Sequence, residues 1–265
     1  MSAGEKLLAE LLRQNSHMKA LWPPWSIANS ISVYDSAPVR SKPDRTYDFT
    51  KEYDDPEGSH VPLRLMRLKE IREKDWALLK DQLIRFGKAS GLFQNISVSN
   101  YGRTLGAPFQ INVKVRGPIA NIVDVGYGVS QVLPILVQVL TSPIPTGGRT
   151  LAGNAIHLLQ QPEVHLHPKA QAELSSLLAQ LALLGNRSFI VETHSDYMVD
   201  RARIEIMKGN ISKDDVSLIY LEPKKNTVKV YNISFDDMGN MIGVPPKFRS
   251  FFLKESSRLM GFEDE

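Results

Sequence analysis

The 265-residue sequence contains no cysteine. Disulfides, thiolate zinc sites, iron–sulfur clusters and a cysteine nucleophile are therefore excluded. A reducing, cytoplasmic setting is the expectation. Long apolar runs are also missing. None reaches the roughly 18 residues that a membrane-spanning helix needs, and the best candidate, residues 132–140, holds Pro134 and Gln138. The leucines near the N-terminus stand among Glu5, Lys6 and Glu10, which does not suit a secretion signal. No membrane association is expected. Charge of one sign is scarce as well: 32 Lys and Arg against 29 Asp and Glu leave a net +3, too balanced to argue for nucleic acid by itself. No internal repeat is present. What remains is 42% apolar and 23% charged, an ordinary globular composition long enough for one or two domains.

The pattern along the chain predicts a helical and linker region over 1–92 and an α/β lobe over 93–265. Residues 1–20 read as a helix with Leu7, Leu8, Leu11 and Leu12 on one side, ended by Trp22-Pro23-Pro24-Trp25. Residues 35–62 are loop-like, with Pro38, Pro43, Pro56 and Pro62. A single amphipathic helix is expected over 63–90, from the spacing of Leu65, Leu68, Leu79, Leu83 and Phe86. Ile111, Val113 and Val115 alternate with Asn112, Lys114 and Arg116, which predicts a half-buried strand antiparallel to 96–101. A further strand is expected over 119–125. An apolar helix should run from Gly126-Tyr127-Gly128 to about Leu140, with Pro134 in or near its first turn. Residues 155–159 and 188–191 read as buried strands flanking a helix opened by Pro168 and closed by Gly185. That is a βαβ unit, so its strands should be parallel. Residues 216–222 and 227–233 should form a hairpin around Lys224-Lys225-Asn226. Phe248, Phe251, Phe252 and Leu259 have helical spacing in the tail.

In an open parallel sheet, ligands bind beyond the carboxyl ends of the strands. The first strand of the unit runs into Gln160-Gln161-Pro162-Glu163 and the second into Glu192-Thr193-His194-Ser195-Asp196. Two polar clusters should therefore meet on one rim. The glycine-containing turn at 126–130 before a helix is physically suited to an anion, because its backbone can approach closely and the helix N-terminus favours negative charge. Taken alone, it reads rather as a turn before a core helix. His165-Leu166-His167, with His194 and Glu163 or Asp196, leaves a metal-dependent hydrolase open as a weaker alternative.

These segments also resemble a known family. The apolar strand with Gln-Gln-Pro-Glu and His165-Leu166-His167-Pro168 looks like the Walker B strand and D-loop of ABC-type ATPases. Residues 191–195 look like their switch segment, and 125–131 sit where such ATPases carry the signature motif. The resemblance points to AAA-type, ABC-related ATPases of the overcoming-lysogenization-defect and Septu-like defence group, and covers most of the chain from about residue 27. It implies the C-terminal lobe of a P-loop NTPase, with a parallel βαβ core, antiparallel strands and a helical insertion. It implies ATP and Mg²⁺ as cofactors, with Gly126, Tyr127, Gly128, Val129, Ser130, Gln131, His165 and His167 around the nucleotide. Gln160, Gln161 and His194 become the candidate catalytic residues, and Gln160 the candidate metal contact. It further implies a nucleotide-dependent switch in an antiphage complex, acting as a homodimer or with a P-loop-bearing chain, with a nuclease partner and DNA as further candidates.

Two departures stand against full activity. Both acidic Walker B positions are amides, and Mg²⁺ prefers one or two carboxylates, so hydrolysis should suffer more than binding. No G-x-x-x-x-G-K-[ST] motif occurs, so the phosphate cradle, its lysine and its hydroxyl are not supplied by this sequence. The expectation is a C-terminal half: a fragment, a truncated product or one part of a split enzyme. A non-catalytic pseudo-ATPase acting as a regulatory subunit is the alternative.

Overall fold

The computed structural model describes residues 32–48, 55–102, 107–142, 155–246, 248–250 and 257–260. The expected helix over 1–20 and most of the aromatic tail lie outside them. The fold is mixed α/β, with one parallel and two antiparallel three-stranded sheets.

The parallel sheet has the order β1 (Ser32–Ser36), β5 (Ala155–Gln160), β6 (Arg187–Glu192). β5 and β6 are joined through helix α4 (Pro168–Ala182), so the βαβ unit is as the pattern predicts. One face is sealed. Tyr34, His157 and Phe189 stack across all three strands, with ring centroids 5.2 and 5.1 Å apart. His157 Nε2 lies 2.8 Å from Ser142 Oγ, and Arg187 Nε donates to the Ser142 carbonyl at 2.6 Å. Ser142 caps helix α3 (Tyr127–Thr141), whose Gln138 donates to the Asp35 carbonyl on β1.

The opposite face is open. Val33 is 56% exposed and Ile190 39% exposed, with Ile156 and Leu158 half-buried between them. β6 is therefore not the fully buried strand expected from Phe189, Ile190 and Val191. Only Arg187, Phe189 and Val191 turn inward, while Ser188, Ile190 and Glu192 turn outward. Among the described residues its outer edge has no paired strand.

The second sheet is antiparallel: β2 (Asn95–Asn100), β3 (Phe109–Lys114), β4 (Ile119–Asn121). The third strand is shorter than the 119–125 expected, because the Asn121 side chain accepts the Val123 N–H and starts a 3₁₀ turn. Ile96, Val98, Phe109, Ile111 and Val113 face helices α1 (Val61–Ile71) and α2 (Glu73–Ser90) in one core that also takes in α3, Leu159 and Leu174. These two helices replace the single one expected. The apolar spacing lapses between Leu68 and Leu79, where Ile71 is 74% exposed, and Arg72 leaves helical geometry at φ −130°, ψ 60°.

Pro134 lies inside α3, not in its first turn. A proline there leaves the Ser130 carbonyl without its i+4 donor. Tertiary burial holds the helix nonetheless: Val129 to Thr141 are buried except Pro134 itself, which packs against Gly58. A Cβ at Gly58 would come within 2.5 Å of Pro134. After helix α5 (Asp196–Met207), strands β7 (Leu218–Lys224) and β8 (Thr227–Phe235) form the expected hairpin, its turn closed by Lys225 at φ 40°. A short strand β9 (Met241–Ile242) completes the third sheet.

Candidate functional site

β5 and β6 run parallel and in register, with Gln160 opposite Glu192. Both side chains are exposed on the open face of the sheet. Adjacent strands are about 4.8 Å apart, so an amide and a carboxylate stand side by side at the carboxyl edge. The chain leaves β5 by a tight turn. Gln161 donates its N–H to the Glu192 carbonyl at 2.8 Å and takes φ 42°, while His165 takes φ 67°. Two non-glycine residues in the left-handed region within five positions mark a loop held by its surroundings.

Glu163 provides much of that hold. It is buried, and its Oε1 accepts the His194 N–H at 2.7 Å. The loop after β5 is thereby tied to the loop after β6. Arg40, only 2% exposed, donates from Nη2 to the Gln161 carbonyl at 3.1 Å. Its backbone N–H and carbonyl both bond the Gln131 side chain, at 3.3 and 3.4 Å. Burial pushes the Arg40 guanidinium down to about 10, and the nearby Glu163 carboxylate opposes that shift. At neutral pH the guanidinium is still charged, so a buried cation faces a buried anion under the rim.

The start of α3 reaches the same cluster from the other side. Tyr127 meets the His165 ring edge to face at 4.7 Å. A Cβ on Gly128 would lie 2.7 Å from the His165 carbonyl oxygen, so only glycine allows this approach. Gln171 on α4 donates to the Leu166 carbonyl at 2.8 Å and accepts the Ser195 hydroxyl at 2.5 Å. Ser195 in turn caps α5 by accepting the Met198 N–H.

The residues singled out from sequence thus fall into two groups. Gly126, Tyr127, Gln160, His165, His167 and His194 are exposed around the rim, with Gly128 and Gln161 partly so. Val129, Ser130 and Gln131 turn their side chains inward: Val129 into the core, the Ser130 hydroxyl onto the Tyr127 carbonyl at 2.9 Å, and Gln131 onto Arg40. Any contact these three make at the rim falls to the backbone. The His-x-His alternative finds no support. Among the described residues no three His, Asp or Glu side chains are grouped to hold a metal, and Glu163 is engaged elsewhere.

Sequence reasoning missed Arg40 and Gln171 as parts of the site, and it placed Glu192 and Glu163 in the two polar clusters without foreseeing that Glu163 would tie the two loops together. An arginine in a proline-rich stretch carries no local sign of burial. Glu192 was readable, since it closes the second strand of a βαβ unit on the same edge as Gln160.

A family model described as AAA domain, putative AbiEii toxin, Type IV TA system, matches residues 4–200. The chain belongs to this AAA family. No curated protein matches it in sequence. Among solved structures, one from work on ATP-driven dimerization and DNA-stimulated activation of SMC ATPases is 12% identical, covering 74% of this chain and 99% of its own, with a TM-score of 0.45. An SMC head bound to the C-terminal winged-helix domain of ScpA is 14% identical, covering 67% and 49%, with a TM-score of 0.45. A Pyrococcus furiosus Smc head with an extended coiled coil, bound to the C-terminal domain of ScpA, is 13% identical, covering 78% and 43%, with a TM-score of 0.44. This AAA domain thus spans under half the length of the last two. None of its described helices is long and apolar enough to cross a membrane.

Proposed function

We propose that this AAA domain is the signature- and switch-bearing half of an ABC-type ATPase head, acting as a nucleotide-dependent switch once a P-loop-bearing lobe completes it. The observation that supports this most is the pairing of an unfinished parallel sheet with a polar rim. Parallel sheets are covered on both faces in folded proteins. Here the open, partly apolar face and the edge of β6 that no described strand pairs lie beside Gln160, Glu192 and His194. A lobe seated on that face would bring its phosphate loop to the same rim.

The donor set suits Mg²⁺ bound together with phosphate oxygens. Gln160 offers an amide oxygen and Glu192 a carboxylate, within the one or two carboxylates that such sites use. When bound, the metal would neutralise charge on the transferring phosphoryl group. The domain's own residues would do the rest. The imidazole of His194, its backbone fixed by Glu163, would donate to a terminal phosphate. Gln161 would orient water. The N-terminus of α3, with Gly126 to Gly128, would present N–H groups to the phosphate of a facing copy, which makes a homodimer the natural working form. The family's description as a putative toxin of a toxin–antitoxin system favours a defence role, and a nuclease would be the effector it controls.

The neutral pair Gln160 and Gln161 favours a second reading, a pseudo-ATPase that binds but does not hydrolyse. One experiment addresses both. Labelled ATP is titrated against this chain alone and against the chain mixed with a P-loop-bearing lobe of the same family. Binding only in the mixture is the expected result, and micromolar binding by this chain alone would overturn the proposal. Turnover restored by Gln160→Glu in the mixture favours the trapped ATPase, and unchanged silence favours the pseudoenzyme.

A further inference from the structure

A groove between α2 and the edge of the antiparallel sheet, about 460 Å³ in volume, is lined by Lys80, Ile84, Lys88, Gln94, Asn95 and Lys114. It lies apart from the rim. Its chemistry is one-sided, with three ammonium groups, two amides and no carboxylate. Other basic residues of this region have acidic partners, as Arg72 does in Asp75, Arg85 in Asp81 and Lys69 in Glu70. The three groove lysines have no ion-pair partner among the described residues. Asn95 spends its Oδ1 on the Ile96 N–H at 2.9 Å, which leaves its NH₂ group to donate.

Spacing decides what such a groove can hold. Lys80 and Lys88 are eight residues apart on one helix face, about 12 Å along the axis at about 1.5 Å per residue. A single phosphate cannot reach both. A ligand must present several anionic groups over that length, and one strand of a duplex does so, with a phosphate about every 3.4 Å of axial rise. The lining contains no aromatic ring on which unpaired bases could stack. Its one apolar residue, Ile84, is half-buried and offers little to insert into a bilayer.

We propose that this groove binds the phosphodiester backbone of a nucleic-acid duplex, without reading its sequence, through Lys80, Lys88 and Lys114, with Gln94 and Asn95 as neutral donors. The contact is independent of nucleotide at the rim and holds whether or not the ATPase reading does.

The test uses the full chain and a fluorescently labelled duplex two helical turns long, followed by anisotropy across a salt series. The triple variant Lys80→Gln, Lys88→Gln, Lys114→Gln is compared with a charge-matched control, Lys224→Gln, Lys225→Gln, Lys229→Gln, in the distant hairpin. The groove variant should lose at least about tenfold in affinity at 0.1 M salt, and its log–log salt slope should fall by about 2 to 3, near 0.9 per phosphate contact. The control should stay within about twofold, and Lys→Arg at the three groove positions should retain binding because the charge is kept. Equal losses in both triple variants would mean that only net charge matters and would overturn the proposal. So would a wild-type chain that does not bind the duplex, or one from which polyglutamate displaces the duplex as well as unlabelled duplex does. That last outcome would assign the groove to an acidic peptide.

Discussion

On the outward face of the antiparallel sheet stand Ser97, Ser99, Gln110 and Asn112, joined by hydrogen bonds such as Asn112 to Ser99 at 3.2 Å and Tyr101 to Gln110 at 2.7 Å. On the outward face of the parallel sheet Val33, Ile156, Leu158 and Ile190 stand among the exposed polar residues Asp35, Ser188, Gln160 and Glu192. Both sheets have one face in the protein core. The first is finished for water, its polar alternation matching the pleat. The second mixes exposed aliphatic side chains with polar ones. A partly apolar outward face on a parallel sheet, next to an edge that no described strand pairs, is what a further strand and helix would cover.

The largest expected effect separates the two faces of this comparison. Phe109 is fully buried beneath the antiparallel sheet and stacks on Tyr47 at 5.5 Å. Phe109→Ala should cost about 3 to 5 kcal/mol through lost contacts and the cavity left behind. Ile190→Thr, on the open face of the parallel sheet, should cost under about 1 kcal/mol in this chain, yet weaken association with a completing lobe. Urea unfolding of both variants, with the association measured alongside, checks this. Equal destabilisation would mean that the open face is already covered in solution.

The same contrast explains what could be read in advance. The strands of the antiparallel sheet were legible because water lies on one side, so Ile111, Val113 and their polar neighbours alternate in the sequence itself. The βαβ unit was legible from Pro168, Gly185 and the leucines between them. β6 was misjudged because Phe189, Ile190 and Val191 are all apolar, and a run of this kind does not say which face another element has yet to cover. The break at Arg72 shows only as a gap in spacing. Pro134 misled because a local rule about prolines yields to burial on every side. At the site, strand order foretold that the amide pair and His194 would share an edge. Arg40 and Glu163 stayed hidden, since their roles depend on contacts across 121 and 31 positions of sequence.

The covered face of the parallel sheet carries the next effect. Burial, and secondarily the positive charge of Arg187, lower the His157 imidazole to about 4. Above the ordinary histidine value near 6.5, the ring is neutral in folded and unfolded chains alike, and stability does not depend on it. As pH falls from about 6.5 to about 4, the unfolded chain takes up a proton that the folded chain refuses, so stability declines through that window. Below it both states are protonated and the loss is complete, at most about 3 kcal/mol for a shift of this size. His157→Phe keeps a ring between Tyr34 and Phe189 and should flatten that part of the stability–pH curve, whatever it does to the plateau. Chemical denaturation at several pH values checks it, and an unchanged slope would assign the acid sensitivity to carboxylates.

The smallest effect tests whether the rim belongs to the finished or the unfinished part of the molecule. Gly128→Ala places a methyl group 2.7 Å from the His165 carbonyl. Backbone cannot move aside as a flexible side chain can, so the start of α3 or the 161–167 loop must shift. A cost of about 1 to 2 kcal/mol is expected, in the range for overpacking a close contact. Gly126 meets nothing within 4 Å at its would-be Cβ and has φ −56°, so Gly126→Ala should change stability by less than about 0.5 kcal/mol. If the rim is preassembled, thermal unfolding will separate these neighbouring glycines, and the amide signals of His165 and His194 will move in Gly128→Ala but not in Gly126→Ala. Two silent substitutions would mean that the close approach of Gly128 to His165 does not fix the loop after β5.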